Sequence, residues 1–263
     1  MTEEPAILID KPEDGIAILT INNPKTLNAL DLPTLLEMEE KWSELEADSD
    51  VRVIVVTGAG DRAFVAGGDI ADLNSRQGLP HYLEFGEVVH RVFRKIETCD
   101  KPTIGAINGW TLGGGCELTL CLDIRIAAEK ARFGLPEITL GLFPGAGGTQ
   151  RIQRQIPLCQ AKEIMFTGDH ITSEQAVDVG LINRAVPGDR LMDEVMETAR
   201  KIAAKSPLIL KLLKRTIGDG GDMPMSAAIA HEQAMIGLVL DSEDAHEGTA
   251  AFLQKRDPKF TGR

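Results

Sequence analysis

A glycine run opens directly onto a carboxylate at Gly113-Gly114-Gly115-Cys116-Glu117, and a second glutamate follows in a proline-flanked stretch, Leu135-Pro136-Glu137. Glycine lets a backbone amide approach a ligand closely because no Cβ stands in the way. A helix that starts at such a run leaves its first amides without intrahelical acceptors, at the positive end of the helix dipole. Together they make a device for holding an oxyanion. Two glutamates beside it could move a proton or a water, so the residue types point to chemistry on a polarised carbonyl. Two readings of the carboxylates stand open at this level: an acid–base pair, or a solvated charge at a helix start and a second in a loop.

The elements that must position these groups are legible as patterns. Ile16–Ile21 is rich in β-formers and ends at the turn Asn22-Asn23-Pro24. Leu32–Leu45 has helical apolar spacing, with Asp31 as N-cap and Pro33 in the first turn. Val51–Thr57 is a nearly continuous β-branched run and reads as a buried strand. Ala63–Ile70 is a short strand emptying into a glycine turn, His81–Glu97 is helical, and Pro102–Ile107 is a strand turned by Asn108-Gly109. A short helix is predicted after Gly113, a strand over Asp123–Ala128, and a glycine- and proline-rich loop over Leu140–Gly148. Thr172 and Gln175 fit a capping box. Helices are then predicted over Asp189–Ala204, Leu208–Thr216, Met225–Leu240 and Asp244–Arg256. The expected organisation is therefore an α/β core, residues 1–195, and a helical region, 196–263, too thin to own a core and destined to pack on the body or on a neighbouring subunit.

Composition narrows the partners. The 263-residue chain carries a net charge of −12, from 28 basic and 40 acidic residues, which disfavours nucleic acid and anionic membranes as generic ligands. No apolar run is long enough to span a bilayer, and the acidic start, Met1-Thr2-Glu3-Glu4-Pro5, has no secretory or transit character, so the expected location is the cytoplasm. Cys99, Cys116, Cys121 and Cys159 lack CxxC spacing and read as buried free thiols; the five histidines are scattered, His90 and His231 reading as ordinary helix residues, and no metal site is expected. Any anionic ligand must find a local basic patch, for which Lys25, Arg62, Lys255 and Lys259 are candidates, each of them more simply a solvated charge. Phe252 and Phe260 read as packing residues.

Four segments, in order and spacing, resemble the crotonase (enoyl-CoA hydratase/isomerase) superfamily over essentially the whole chain. They are Asn23–Leu30 (NPKTLNAL), Ala63–Ile70 (AFVAGGDI), Asn108–Leu118 (NGWTLGGGCEL), and Phe133–Glu137 leading to Pro144–Gln150 (PGAGGTQ). The resemblance implies a spiral of ββα units with C-terminal helices that drive trimerisation, and trimers often paired as hexamers. It implies an acyl-CoA thioester as substrate and no cofactor beyond the coenzyme A that the substrate carries. It assigns Glu117 as the base that takes a proton from water and Glu137 as the acid that delivers one to Cα, with the thioester oxygen held by the amides of Ala66 and Gly114. Ala66, Gly67, Gly68, Asp69, Ile70 and Gly114 are the implied substrate-binding positions, although Asp69 reads equally as a helix cap. Gly68 stands where alanine is common in the family, and Ala71–Tyr82, including Leu73, Gln77 and Leu79, is the segment that shapes the acyl pocket. Both glutamates together favour hydration of a 2-enoyl-CoA. The alternatives are a double-bond isomerase using Glu137 alone, a hydratase of a specialised alicyclic, aromatic or carnitinyl thioester, and a non-catalytic acyl-CoA- or RNA-binding protein.

Overall fold

The structure, a computed structural model, describes residues 5–76 and 78–263; the N-terminal Met1–Glu4 and Gln77 lie outside the described residues. Two sheets organise it. The larger holds six strands in the order β1-β2-β3-β5-β7-β10, and the smaller holds β4-β6-β8-β9. In the large sheet β1 is Ile7–Glu13, β2 Gly15–Ile21, β3 Val51–Gly58, β5 Thr103–Ile107, β7 Ile124–Ala128 and β10 Arg184–Val186; in the small one β4 is Ala63–Val65, β6 Trp110–Leu112, β8 Arg132–Gly134 and β9 Ile171–Thr172. Only β1 against β2 and β9 against β8 are antiparallel.

The chain alternates between the sheets. It runs β3 then β4, β5 then β6, β7 then β8, and each pair is laid beside the last. This is the expected spiral of strand–strand–helix units. One consequence decides where function sits. Because β4, β6 and β8 are adjacent and parallel, with Val65 opposite Thr111 and Leu112 opposite Gly134, the segments that follow them emerge at one edge. Those segments are Ala66–Asp69, Gly113–Glu117 and Leu135–Glu137, and crevices at the carboxyl ends of parallel strands are where ligands bind in such sheets.

The continuous apolar run of β3 is explained by burial on both faces. Val53 and Val55 pack with Ile104, Ala106, Ile126 and Ala128 under the helix Leu191–Ala203, through its Leu191, Val195, Met196 and Ala199. Ile54 and Val56 face the main core, which includes Trp42, Phe64, Phe93 and Phe133. The expected division after residue 195 therefore falls inside a helix that packs on the sheet. The change in packing comes later, in the helices Pro207–Gly221 and Met225–Leu240, which bury no residue.

Most expected elements are present. Asp31 caps Leu32–Ala47 through the Thr34 amide at 2.9 Å, and Thr172 and Gln175 form the reciprocal capping box. The helix expected over His81–Glu97 opens as a turn of π-helix, His81–Gly86. Strand β1, absent from the sequence reading, is an edge strand carrying Lys11 and Pro12, with its register broken between Asp10 and Glu13; edge strands of this kind show no clean alternation. The helices Gly148–Gln155 and Leu158–Thr167 were also not anticipated. Two burial expectations are corrected. Cys159 is exposed, while the other three cysteines are buried. Phe252 is 82% exposed rather than packed in the core.

Asn28 shows how the first family segment supports the rest. It is fully buried with φ +59°, a region that asparagine tolerates better than most residues. Its Nδ2 donates to the carbonyls of Ala59 (3.0 Å) and Ala63 (2.9 Å), and its Oδ1 accepts from the Asn23 amide (3.0 Å). Asn28→Ala removes all three bonds, of which the one to Ala63 is buried and the other two are part-buried. Each buried orphan costs about 1–3 kcal/mol, and a chain of this size loses roughly 2–4 °C per kcal/mol. Thermal unfolding of this variant is expected to show a drop of several degrees; an unchanged midpoint would mean that water replaces the amide.

Candidate active site

Three turns build the site. The first follows β4, where Gly67 adopts φ +127°, a conformation only glycine takes easily. The segment Leu27–Leu30 templates this turn: Ala66 N–H donates to the Leu27 carbonyl (3.0 Å), Leu30 N–H to Gly67 (2.9 Å), and Asp69 N–H to Leu30 (2.9 Å). The second turn follows β6. Gly113, at φ +49° and ψ −122°, reverses the chain and precedes the helix Gly114–Thr119, so the Gly114 amide is the first of that helix and has no intrahelical acceptor. The third follows β8, where Glu137 sits in a short 3-10 helix, Pro136–Leu140.

The turns are in close contact. A Cβ placed on Gly114 would lie 3.5 Å from the Gly68 amide nitrogen, and one placed on Gly113 would lie 3.1 Å from Glu137 Oε1. The helix can start this near β4 because residue 115 is glycine: a Cβ there would overlap the Val65 carbonyl.

This packing corrects one sequence expectation. Ala66 does not offer a free amide, because its N–H is committed to Leu27. Among the described residues the Gly68 amide has no acceptor, and it is the one that lies beside Gly114. The alternation of amide directions along an extended turn explains the error. A sequence motif locates the turn, but which amide points outward depends on which ones Leu27–Leu30 bind. Asp69 is also clarified. Its carboxylate accepts from the Asp72 amide (2.9 Å) and caps the helix Ile70–Ser75, so the capping reading holds for its side chain. Ile70 projects into solvent at the start of that helix. Gly67, Gly68, Gly114, Glu117 and Glu137 thus come together, whereas the side chain of Asp69 serves local structure.

Glu117 is 2% exposed, so the reading as a solvated helix charge fails. Its Oε1 accepts two backbone hydrogen bonds, from Ala146 and Gly148, both at 2.7 Å. Residue 148 is glycine for space, since a Cβ would come within 2.8 Å of the Glu117 side chain. Burial is the main influence on this carboxyl and pushes its pKa up; the Gly148 amide pulls it down, the Glu137 charge raises it, and the Ala146 amide and Arg151 lower it, leaving it at about 7. Glu137 is half-buried, and burial raises its pKa as well. Its Oε2 is shielded from solvent and has no hydrogen-bond partner among the described residues. A buried carboxyl without a partner costs free energy unless a ligand or water completes it. Two interacting carboxyls titrate as a pair, so one can hold a proton while the other is ionised.

In the sequence, Pro144–Gln150 is legible as a family segment, but nothing in it marks Ala146 or Gly148 as partners of Glu117. Arg151 and Glu97 carry no mark either, and no local signal connects those two. Burial pushes the Cys116 thiol up to about 12, which disfavours the thiolate that a nucleophilic role would require. Among the described residues no group of three or more His, Cys, Asp or Glu side chains is placed to hold a metal, and no helix is long and apolar enough to cross a membrane.

Comparison with known proteins places the chain in a family. Residues 11–263 match the enoyl-CoA hydratase/isomerase family. The chain is 41% identical over 250 residues, 95% of each protein, to the short-chain-enoyl-CoA hydratase of Clostridium acetobutylicum. It is 40% identical over 257 residues, 98% of each, to the crotonyl-CoA hydratase of Syntrophomonas wolfei. Its fold superposes on the crystal structure of enoyl-CoA hydratase from Bacillus anthracis with a TM-score of 0.94, at 34% identity, covering 98% of this chain and 100% of that one. With a family match over residues 11–263, relatives at about 40% identity over nearly their whole length and the same fold, the chain belongs to the enoyl-CoA hydratase/isomerase family.

Proposed function

We propose that this protein is an enoyl-CoA hydratase that adds water reversibly to a 2-enoyl-CoA to give a 3-hydroxyacyl-CoA. The observation that carries the reading is the pairing of two sequestered carboxyls, Glu117 and Glu137, with two amides, Gly68 and Gly114, that have no acceptor among the described residues, at one edge of the small sheet. The thioester oxygen sits between those amides. A water lies between the carboxyls. Glu117 takes a proton from it as the oxygen attacks Cβ, and charge moves onto the thioester oxygen, where the two N–H groups and the helix dipole stabilise it. Glu137 delivers a proton to Cα, and the proton taken by Glu117 restores the pair. The protein's own groups serve every step, so no cofactor is needed besides the coenzyme A of the substrate.

The names of the two relatives given above, at 41% and 40% identity, favour a short, linear acyl group. An isomerase would need one carboxyl, and the burial of both favours hydration over that alternative. The protein works as a homotrimer or a pair of trimers in the cytoplasm. Support for assembly comes from the last helices, where the large apolar side chains of Leu213, Ile217, Met225, Ile229 and Leu238 are exposed. Nucleic acid and membrane are not partners on this reading, given the net charge of −12.

The test is the loss of ultraviolet absorbance of crotonyl-CoA on mixing with the purified protein. Rapid loss is the expected result. No loss, with coenzyme A esters still bound, would replace the reading with an isomerase or with a hydratase of a bulkier acyl group.

A further inference from the structure

Arg151 lies in the first turn of the helix Gly148–Gln155, behind the loop that grips Glu117. Its Nε and Nη2 donate to both oxygens of Glu97, at 3.0 and 3.1 Å, in the two-pronged geometry that fixes a guanidinium plane. Its remaining arm, Nη1, donates to the Ala146 carbonyl at 3.0 Å. The guanidinium lies so close over the loop that a Cβ on Gly147 would overlap Nη1. Glu97 ends the helix Glu87–Glu97, whose Val92, Phe93 and Ile96 are in the main core. The chain of contacts therefore runs from the core through Glu97 and Arg151 to the Ala146 carbonyl, and from the Ala146 and Gly148 amides to Glu117 Oε1. With its carbonyl held on one side, the loop presents both amides on the other.

We propose that Arg151, anchored by Glu97, is a positioning residue for Glu117: it holds the Ala146–Gly148 loop in the shape that binds Glu117 Oε1 and places a positive charge behind the carboxylate.

The groups around Glu117 give the sign of the effect. Glu137 disfavours its ionisation, and the two amides and Arg151 favour it. The neighbouring thiols Cys116 and Cys121 are neutral, burial having pushed both up to about 12. Glu97 is neutralised by Arg151 and Arg94. Removing the guanidinium takes away a stabilising charge and loosens the two amide bonds, so Glu117 must protonate at higher pH.

The proposal rests on the hydratase reading for its kinetic consequence but not for its titration. Arg151→Met is expected to lower kcat for crotonyl-CoA roughly 10–100-fold, the scale met when the outer partner that orients a metal ligand is removed, with KM changed little. The acid limb of the kcat/KM profile should move to higher pH. Arg151→Lys keeps the charge and should return the limb towards its wild-type position while kcat remains below wild type, because the fork to Glu97 is lost. A second readout needs no turnover. The infrared carboxylic-acid band of Glu117, identified by its absence in Glu117→Gln, should titrate at higher pH in Arg151→Met than in wild type. If Arg151→Met does not fold, Arg151→Lys decides the question through its lowered kcat. An unmoved band, or a lysine or methionine variant with wild-type kcat and limb, overturns the proposal. An inactive wild type whose Glu117 band still shifts in Arg151→Met overturns the hydratase reading and leaves Arg151 in its role.

Discussion

Glu117→Gln and Glu137→Gln are each expected to lower crotonyl-CoA hydration by about 10²–10⁴-fold, the range that general acid–base groups supply, while binding of coenzyme A esters persists. Glutamine at 117 still offers Oε1 to the Ala146 and Gly148 amides, so the loop keeps its partners and the loss is chemical. Glutamine at 137 fills the same half-buried space beside Gly113. The substitution at 117 also has a stability signature of known sign. Folded Glu117 has a pKa of about 7 against an ordinary value of 4.5. Between those values the folded chain binds more protons than the unfolded one, so stability falls as pH rises through that window and the full penalty stands above it. Glutamine carries no such penalty. The melting temperature of Glu117→Gln should therefore gain on wild type from about pH 5 to pH 8, by the equivalent of roughly 1–3 kcal/mol, shared in part with Glu137 because the pair titrates together. Retained activity in both variants would sink the two-carboxyl mechanism, and a pH-independent difference in melting temperature would show Glu117 to be solvated.

The adjacent glycines 114 and 115 should fail in opposite ways when replaced by alanine. At 115 the methyl would overlap the Val65 carbonyl, backbone against backbone, and β4 cannot yield without parting from the helix. Overpacking costs typically 1–3 kcal/mol and more where nothing can move. Gly115→Ala should therefore give little folded protein and a markedly lowered melting temperature. At 114 the added methyl meets nothing closer than the Gly68 nitrogen at 3.5 Å, the Gly67 carbonyl carbon at 3.7 Å and the Leu30 side chain at 3.9 Å. Gly114→Ala should fold with a near-wild-type melting temperature. Its methyl enters the space beside the two free amides, so turnover should fall by about 10²–10³, the loss that follows from disabling one oxyanion donor. A fully active Gly114→Ala would mean that the thioester oxygen is held elsewhere. A stable Gly115→Ala would mean that the helix does not start against β4.

Local sequence determined the parts list. Asp31, Pro33 and the apolar spacing behind them fix a helix without help from the rest of the chain, and the β-branched run of β3 announces a strand buried on both faces. Glycines in a row before Glu117 mark a tight approach wherever they occur, because the space they leave is a property of the residue. The two glutamates were identifiable by type and by the family segments that contain them. What the sequence could not contain is which groups remain unpaired once distant segments meet. The Ala66 amide looks free in the motif and is bound by Leu27 in the fold, which leaves the outward donor at Gly68. The apolar face of Phe252 and the thiol of Cys159 look like core residues by type, yet tertiary packing leaves both in solvent. Glu97 and Arg151 are unremarkable charges in their own helices, and they become a clamp on the Glu117 loop only because the spiral brings the end of one helix against the start of the other. Propensity acts over a few neighbouring residues, whereas hydrogen-bond satisfaction and burial are settled across the whole chain. That is why the two candidate carboxyls were legible in the sequence, and why the free amide beside Gly114 and the guanidinium behind the Glu117 loop were decided by the tertiary structure.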